Sequence, residues 1–404
     1  MRPPSNWIDP FRRPRPMYVT CDSGLEKILA AELSMTGAAQ VSPGHRGVGL
    51  FGDRETMWRV NLESRVANRV LVPVGEFPAR NRDELYAGAA RVDWTRWFKN
   101  SDTIAVDTSS HKSQESHTVF LSQVIKDAIC DQFREATGQR PSVNRVAPHV
   151  RINGRLDKDH CILSIDASGD RLHRRGYRIA TGKAPIKETL AAGILSLSNW
   201  SPGKILVDPM CGSGTFLIEA AMMAANQAPG LGRMHGTGFG FMNWLGHDEG
   251  QFEAYLTHLK QKIKPLQAGH FYGTDTDQTV LKKLEGNARR AGVGEVVTTG
   301  AVAIADFRKP TSMPGGDKVH VVSNPPYGER LASEDGLTQL YTEIGQLLKR
   351  EFAGSGATLI VGQDSPHRAI GLRPKLSRRL RNGAIQCRLL ELEIFGPQSE
   401  KDRQ

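Results

Sequence analysis

The 404-residue sequence has no run of about 18 apolar residues, the length a membrane helix needs, so no membrane span is expected. Cysteine is scarce: Cys21, Cys130, Cys161, Cys211 and Cys387 lie far apart, with no CxxC pair. That spacing argues against a disulfide framework, a zinc knuckle or an iron–sulfur site, and suits a cytoplasmic location. The twelve histidines form neither HxH nor HExxH, so no protein-bound metal is expected. The opening MRPPSNWIDPFRRPRP lacks an apolar signal core, so secretion is not expected. GxGxxG is missing, which disfavours NAD. A P-loop fails too, because five residues separate Gly176 from Gly182-Lys183 and Ala184 follows.

What is present is ordinary globular composition, 39% hydrophobic and 24% charged, which excludes wholesale disorder. Lys and Arg number 53 against 43 acids, a net charge of +10. This excess suits a polyanionic partner such as nucleic acid, although a plain basic protein has the same balance.

Residues 1–16 hold five Pro and four Arg and read as a mobile basic tail. From Met17, MYVTC reads as a strand, GLEKILAAELSMTG as a helix, GVGLFG as a strand and ETMWRVNLESRVAN as a helix, before the apolar run RVLVPVGEF. A second unit begins near residue 100 with the strand TIAVDTS. The amphipathic helix TVFLSQVIKDAICDQFREATG follows, with apolar Phe120, Val124, Ile125, Ala128, Ile129 and Phe133 and a stop at Gly138. HVRINGRL and HCILSIDASG complete it as two strands, and the cation-rich stretch to Pro185 reads as a linker. From Ile186 strands and helices alternate. The chain closes on a hairpin through Asn382-Gly383, which predicts a mixed sheet with helices on both faces.

Four motifs follow strands of this last region. Asp208-Pro209-Met210-Cys211-Gly212-Ser213-Gly214-Thr215 joins an apolar strand to a helix, where glycines let the backbone approach a ligand at the helix N-terminus. Asp275, in Tyr272-Gly273-Thr274-Asp275-Thr276-Asp277, is placed to accept hydrogen bonds from ribose hydroxyls, while Asp277 reads as a helix N-cap. It lies 61 residues beyond Gly214, where a nucleotide fold needs about 20. Residues 227–268 are therefore read as an insertion. Asp306, in Ala305-Asp306-Phe307, can meet an adenine amino group. Asn324-Pro325-Pro326-Tyr327-Gly328 is the most specific signal: two prolines remove N–H donors and leave acceptors, Asn324 adds a side-chain carbonyl, and Tyr327 offers an aromatic face. Paired acceptors hold the hydrogens of an exocyclic amino group and turn its lone pair towards an electrophile.

In this order the motifs resemble those of class I S-adenosylmethionine-dependent methyltransferases of the amino-group type. LHRRGYR, KAPIKETLAAGIL, DPMCGSGTFLIEAAMMAANQAPG, NPPYGERL and RNGAIQC resemble the RlmL-like N2-guanine RNA methyltransferases that carry a THUMP domain. The resemblance covers about residues 17–396. It implies a ferredoxin-like piece (17–65), a THUMP RNA-binding domain (66–168), a linker (169–185) and a Rossmann-like catalytic domain (186–404) with a mixed seven-stranded sheet. It implies S-adenosylmethionine as cofactor, faced by Asp208, Gly212, Gly214, Asp275 and Asp306. Along the same motifs the cofactor set extends to Pro209, Cys211, Thr215, Thr276, Phe307 and Asn324. Asn324, Pro325, Pro326 and Tyr327 would grip the target guanine. Some members carry a second methyltransferase domain, which this sequence lacks, so one activity is expected. Cys211 lies in the cofactor turn rather than beside the base and reads as a small packed residue.

RNA contacts are expected from Lys112, Arg145, Arg151, Arg174, Arg175, Tyr177, Arg178, Arg378 and Arg379, with phosphate bonding by Arg and stacking by Tyr. Arg175 or Arg178 could instead tie the two halves together. The leading expectation is methylation of guanine N2 in 23S ribosomal RNA or a precursor particle. Transfer RNA, N6-adenine methylation and a non-catalytic assembly factor stay open as alternatives.

Overall fold

The structure, a computed structural model, describes residues 7–178, 186–327 and 334–395. Parts of the features read above lie outside the described residues: tail residues 1–6, linker residues 179–185, Gly328 with the ERL after it, and residues 396–404. Two units make up the chain. The first comprises Met1–Cys21, Leu29–Leu172 and Arg233–Thr257, the second Asp22–Ile28, His173–Gly232 and His258–Gln404.

The first unit's strands form one sheet. Its elements are β1 (Arg15–Cys21), α1 (Glu26–Ser34, begun in the other unit), β2 (Ala39–Gly44), β3 (Gly47–Gly52), α2 (Arg54–Glu63), β4 (Ala67–Pro78), α3 (Arg82–Ala90), β5 (Thr103–His111), α4 (Thr118–Thr137), β6 (Ser142–Val143), β7 (Val150–Asp157) and β8 (His160–Asp166). The sheet runs β2-β3-β1-β4-β8-β7-β5-β6. Its centre is β4, twelve residues long, whose first part pairs with β1 and whose length pairs with β8. The ferredoxin-like and THUMP pieces thus share one continuous sheet.

α4 matches its apolar period. Leu121, Val124, Ile125, Ala128, Ile129 and Phe133 are buried, while Phe120 is an exception at 37% exposed. α2 ends earlier than its pattern, because the Glu32 carboxylate accepts from Ser64 Oγ (2.6 Å) and Arg65 N (3.1 Å), which turns the chain out into β4. α3 is an addition to the sequence reading. Its mid-helix Gly88 admits the Phe77 ring, which a Cβ there would meet at 2.1 Å.

The expected mobile tail is corrected from residue 7 onwards. Trp7 Nε1 donates to Arg96 O (2.8 Å), and Phe11 is buried against Trp97 and Trp244. Trp244 comes from the insertion, whose residues 233–257 belong to this unit. They supply Phe241, Trp244 and Phe252 to a cluster with Trp58 and Trp97. Arg233, 1% exposed, anchors the segment: Nη1 donates to Arg171 O (3.0 Å) and Nη2 to Ser168 O (3.0 Å).

The second unit contains α5 (Glu188–Leu197), β9 (Ile205–Asp208), α6 (Thr215–Ala224), the last turn of α7 (Glu249–Gln261), β10 (Phe271–Asp275), α8 (Gln278–Arg290), β11 (Val297–Ala301), β12 (Val319–Ser323), α9 (Glu334–Glu351), β13 (Gly356–Gly362), β14 (Pro374–Asn382) and β15 (Ile385–Glu393). Its sheet runs β11-β10-β9-β12-β13-β15-β14. The first five strands are parallel, and the closing hairpin is antiparallel, as expected. Strand order reverses between β9 and β12, and the carboxyl ends at such a switch point form the ligand crevice of an open α/β sheet. Residues 22–28 belong here too: Asp22 pairs with Lys187 Nζ (2.9 Å), and Leu25 packs on Gly193. Among the described residues no helix is long and apolar enough to cross a membrane.

One packing contact gives a test of the fold. A Cβ on Gly345, in α9, would lie 1.9 Å from Ile370 O. An ordinary helical Gly→Ala change stabilises by up to about 1 kcal/mol. Gly345→Ala should instead destabilise by about 2 kcal/mol through overpacking, read as a lower midpoint in urea.

Candidate active site

The site grows from the end of β9. Asp208 is 2% exposed, and its Oδ1 accepts from Ser323 Oγ (2.7 Å) and Met210 N (3.2 Å). Burial pushes its carboxyl up to about 7, against the pull of those two donors. Asp208 therefore lies beneath the turn and not on its open face, which corrects its expected contact with a ligand. It acts by joining the end of β9 to the end of β12.

The turn itself is tied to β10. Cys211 N donates to Thr274 O (2.9 Å), Thr274 Oγ1 to Pro209 O (3.2 Å) and Gly212 N to Asp275 Oδ2 (3.0 Å). Gly212 and Gly214 have φ of 51° and 81°, the left-handed region that glycine adopts without strain. A Cβ at Gly214 would strike Leu284 at 2.4 Å, whereas one at Gly212 meets nothing within 4 Å, so the turn is open above Gly212.

Two further side chains of the expected cofactor set point inward. Cys211 is 6% exposed and packs over Gly273, and burial raises its thiol far above the ordinary range. The Thr215 hydroxyl is buried and accepts from Arg178 Nη2 (2.5 Å). Only the backbone of these residues remains for a ligand, because both side chains are taken up in packing.

Asp275 is half-buried and also accepts from Asp277 N (3.0 Å), while Thr276 is exposed. Asp277 caps α8, accepting from Thr279 N (2.8 Å). Asp306 is exposed on the same rim. Phe307 is corrected: at 5% exposed it belongs to the core, 5.8 Å from the Phe352 ring, and forms no wall of the crevice.

Asn324 follows β12 directly. Its side chain is half-buried, and Oδ1 is shut from solvent with no hydrogen-bond partner among the described residues. Pro325 is buried and Pro326 half-buried. Tyr327 does not present the expected open face. It is 2% exposed, packs at Gly362, and its hydroxyl accepts from Asn382 Nδ2 (2.9 Å). Sequence reasoning missed Ser323 and Asn382 as site residues; Asn382 gave only a turn signal.

Of three expected RNA contacts in the second unit, Arg175 and Tyr177 are buried and Arg178 is half-buried, and all three side chains are engaged within the unit. Arg175 is 2% exposed and forms an ion pair with Glu219, its Nε 3.7 Å from Oε1. The Tyr177 hydroxyl donates to the same oxygen (3.1 Å). Arg178 Nε lies 3.1 Å from Glu188 Oε1. Both acids are buried, and burial raises the Glu188 carboxyl despite Arg178. These side chains fasten the supposed linker to α5 and α6. Lys112, Arg145, Arg174, Arg378 and Arg379 are exposed, and Arg151 pairs with Asp107 (2.6 Å).

A mixed sheet of five parallel strands and an antiparallel hairpin, with a glycine turn, two rim carboxylates and an Asn-Pro-Pro-Tyr turn at its switch point, defines a Rossmann-like methyltransferase domain. Models of three domains match the chain: an RMKL-like methyltransferase domain over residues 175–391, a THUMP domain over 79–166 and an RlmL ferredoxin-like domain over 16–71. The chain belongs to the RMKL-like methyltransferase family. A Methylococcus capsulatus protein named ribosomal RNA large subunit methyltransferase K/L is 41% identical over 386 residues, covering 94% of this chain and 51% of that relative. The chain spans about half the length of the K/L relatives it matches. A Synechocystis sp. protein named as a candidate RNA methyltransferase is 36% identical, covering 94% of this chain and 97% of its own. Among solved structures, SMU.472, a candidate methyltransferase crystallised with SAH, is 30% identical with a TM-score of 0.84, covering 95% and 99% of the two chains.

Two measurements check this account. Because the Asp208 carboxyl is raised to about 7 from 3.8, the folded state holds its proton more tightly than the unfolded state. The stability this confers is complete below the unfolded pKa and lost as pH rises through the folded one, at about 1.4 kcal/mol per pH unit. Asp208→Asn should match the wild type near the unfolded value and exceed it increasingly towards neutral pH, in denaturation at several pH values. Glu219→Ala removes the carboxylate beside the buried Arg175 guanidinium and the acceptor of the Tyr177 hydroxyl, and should lower unfolding free energy by about 3 kcal/mol.

Proposed function

We propose that this chain transfers the methyl group of S-adenosylmethionine to the exocyclic N2 amino group of a guanine in RNA, with large-subunit ribosomal RNA as substrate. The observation that carries the reading is Asn324 Oδ1, a buried acceptor with no partner among the described residues, at the end of the strand beside the one that leads into the glycine turn. Leaving such an acceptor unmade costs roughly 1–3 kcal/mol, which a ligand N–H relieves.

The residues fit the cofactor. Open space above Gly212 admits a ligand close to the backbone, Asp275 retains acceptor capacity for ribose hydroxyls, and Asp306 is exposed for an adenine amino group. SMU.472, of the same fold and 30% identical, was crystallised with SAH. When bound, S-adenosylmethionine supplies an electrophilic methyl group on a sulfonium.

The chain's own part is positioning. Asn324 Oδ1 accepts one N–H of the target amino group. Pro325 and Pro326, which carry no N–H, keep the neighbouring backbone an acceptor surface. Holding both hydrogens turns the nitrogen lone pair towards the methyl carbon, and orientation of this kind accounts for a large share of catalysis. The amino proton becomes acidic as the new bond forms and passes to the Asn324 region or to water. The guanine must be unpaired or flipped to enter. RNA as substrate is supported by the THUMP domain and by the K/L relatives, named for large-subunit ribosomal RNA.

The test combines label and mutation. Purified protein, tritiated S-adenosylmethionine and total RNA from a strain lacking the gene should yield N2-methylguanosine in large ribosomal RNA. Asn324→Ala should lower turnover by about a hundredfold or more while cofactor affinity stays near that of the wild type. Near-normal turnover by that variant overturns the assignment of Asn324, and label in another nucleoside overturns the guanine N2 reading.

A further inference from the structure

Residues 8–15 of the N-terminal arm form one wall of a cleft in the first unit. The cleft has a volume of about 510 Å³ and is lined by Asp9, Arg12, Arg13, Arg15, Asp93 and Arg96, with Trp97 behind them. Four guanidiniums therefore face two carboxylates. Asp9 is already committed to Arg54 (2.6 Å), and Asp93 Oδ1 accepts from Thr95 Oγ1 (2.6 Å). The cleft is left with an excess of positive charge.

Two of the arginines are fixed by the fold. Arg15 donates through Nη2 to Pro73 O (2.7 Å) and through Nη1 to Pro10 O (3.2 Å), and its guanidinium lies 4.8 Å from the Trp97 ring. Arg96 donates through Nη2 to Ile8 O (3.2 Å). In both, Nε is shut from solvent with no hydrogen-bond partner among the described residues. The two cations also repel each other: burial first, and then Arg96, lower Arg15 to about 10. Arg12 and Arg13 are exposed at the mouth. Like charges held together in a cleft describe a receptor for an anion, because an anion offsets their mutual repulsion.

We propose that this cleft is a phosphate-binding site for the backbone of single-stranded RNA, separate from the crevice of the seven-stranded sheet. Guanidinium forks match phosphate oxygens in charge and geometry. The cleft is open, so a chain can pass through it. Trp97, 5% exposed and covered by Arg15, offers no free face to a base. The contact is therefore to the backbone and independent of sequence. The proposal rests on RNA being the substrate.

The test uses the full chain and a short fluorescein-labelled single-stranded RNA, with anisotropy measured over a range of salt concentrations. Arg12→Gln/Arg13→Gln should keep the wild-type thermal midpoint, since both residues are exposed. Its affinity should fall about tenfold, and the dependence of log K on log salt should flatten by about 1.4, the loss of two single-strand phosphate contacts. Arg80→Gln/Arg82→Gln removes the same charge elsewhere and should change affinity less than about twofold. Equal affinity in wild type and Arg12→Gln/Arg13→Gln, or an equal loss in the control, overturns the proposal. Adenosine monophosphate in large excess should not displace the RNA. Displacement that the Arg12→Gln/Arg13→Gln change abolishes would transfer the site to free nucleotides and overturn the RNA assignment. If the wild type methylates RNA while the arm variant binds it normally, only this inference fails. If the wild type neither binds nor methylates RNA, the functional reading fails with it.

Discussion

A single carboxyl group, shut away from water, holds the catalytic crevice together. Asp208 receives the hydroxyl of Ser323 and the amide of Met210 on one oxygen. The first bond spans two parallel strands at the point where the sheet changes direction, and the second starts the glycine turn. The neighbour of Ser323 is Asn324, so the proposed base-gripping residue and the proposed cofactor turn hang from the same atom. Desolvation opposes the ionised form, which is why the group titrates so high. The geometry of the site is therefore a property of the strand ends, and the loops inherit it.

The second unit was the more legible. Four of its five parallel strands end in a motif visible in one line of sequence, and the sheet order sets the glycine turn, Asp275, Asp306 and Asn324 along one rim. What the sequence could not tell was which side chains face inward. Arg175, Tyr177 and Arg178 read as surface because they sit in a cation-rich string. Their partners, Glu188 and Glu219, lie in the separate helices α5 and α6, and nothing local in the sequence links them to the string. Thr215 and Phe307 were misjudged for the same reason, since a motif fixes a position in the chain and not the direction of a side chain, whereas the reading of Cys211 as a small packed residue agrees with its burial.

In the first unit the errors were of extent. The apolar period of α2 runs on past Ser64, and only the distant carboxylate of Glu32 stops it. α3 was hidden by Gly88, a poor helix residue retained for its fit to Phe77. The insertion lay outside the strand–helix pattern, although it contains α7, with Phe252, Leu256 and Leu259 buried at helical spacing. Its content was aromatic, and its purpose became plain only when Trp244, Phe241 and Phe252 were found packed with Trp58 and Trp97.

That last arrangement has a consequence for the birth of the protein. Translation proceeds from the N-terminus, so Trp58 and Trp97 leave the ribosome long before Phe241, Trp244 and Phe252. In the interval the chain must synthesise the segment from His173 to Gly232, which belongs to the other unit. The first unit cannot close its aromatic core when its own sheet is complete. It waits, with apolar surface uncovered, for a piece delivered from the middle of the second. Nascent chains of this protein are thus exposed to misassembly over a defined window of synthesis, the kind of interval in which chaperones act.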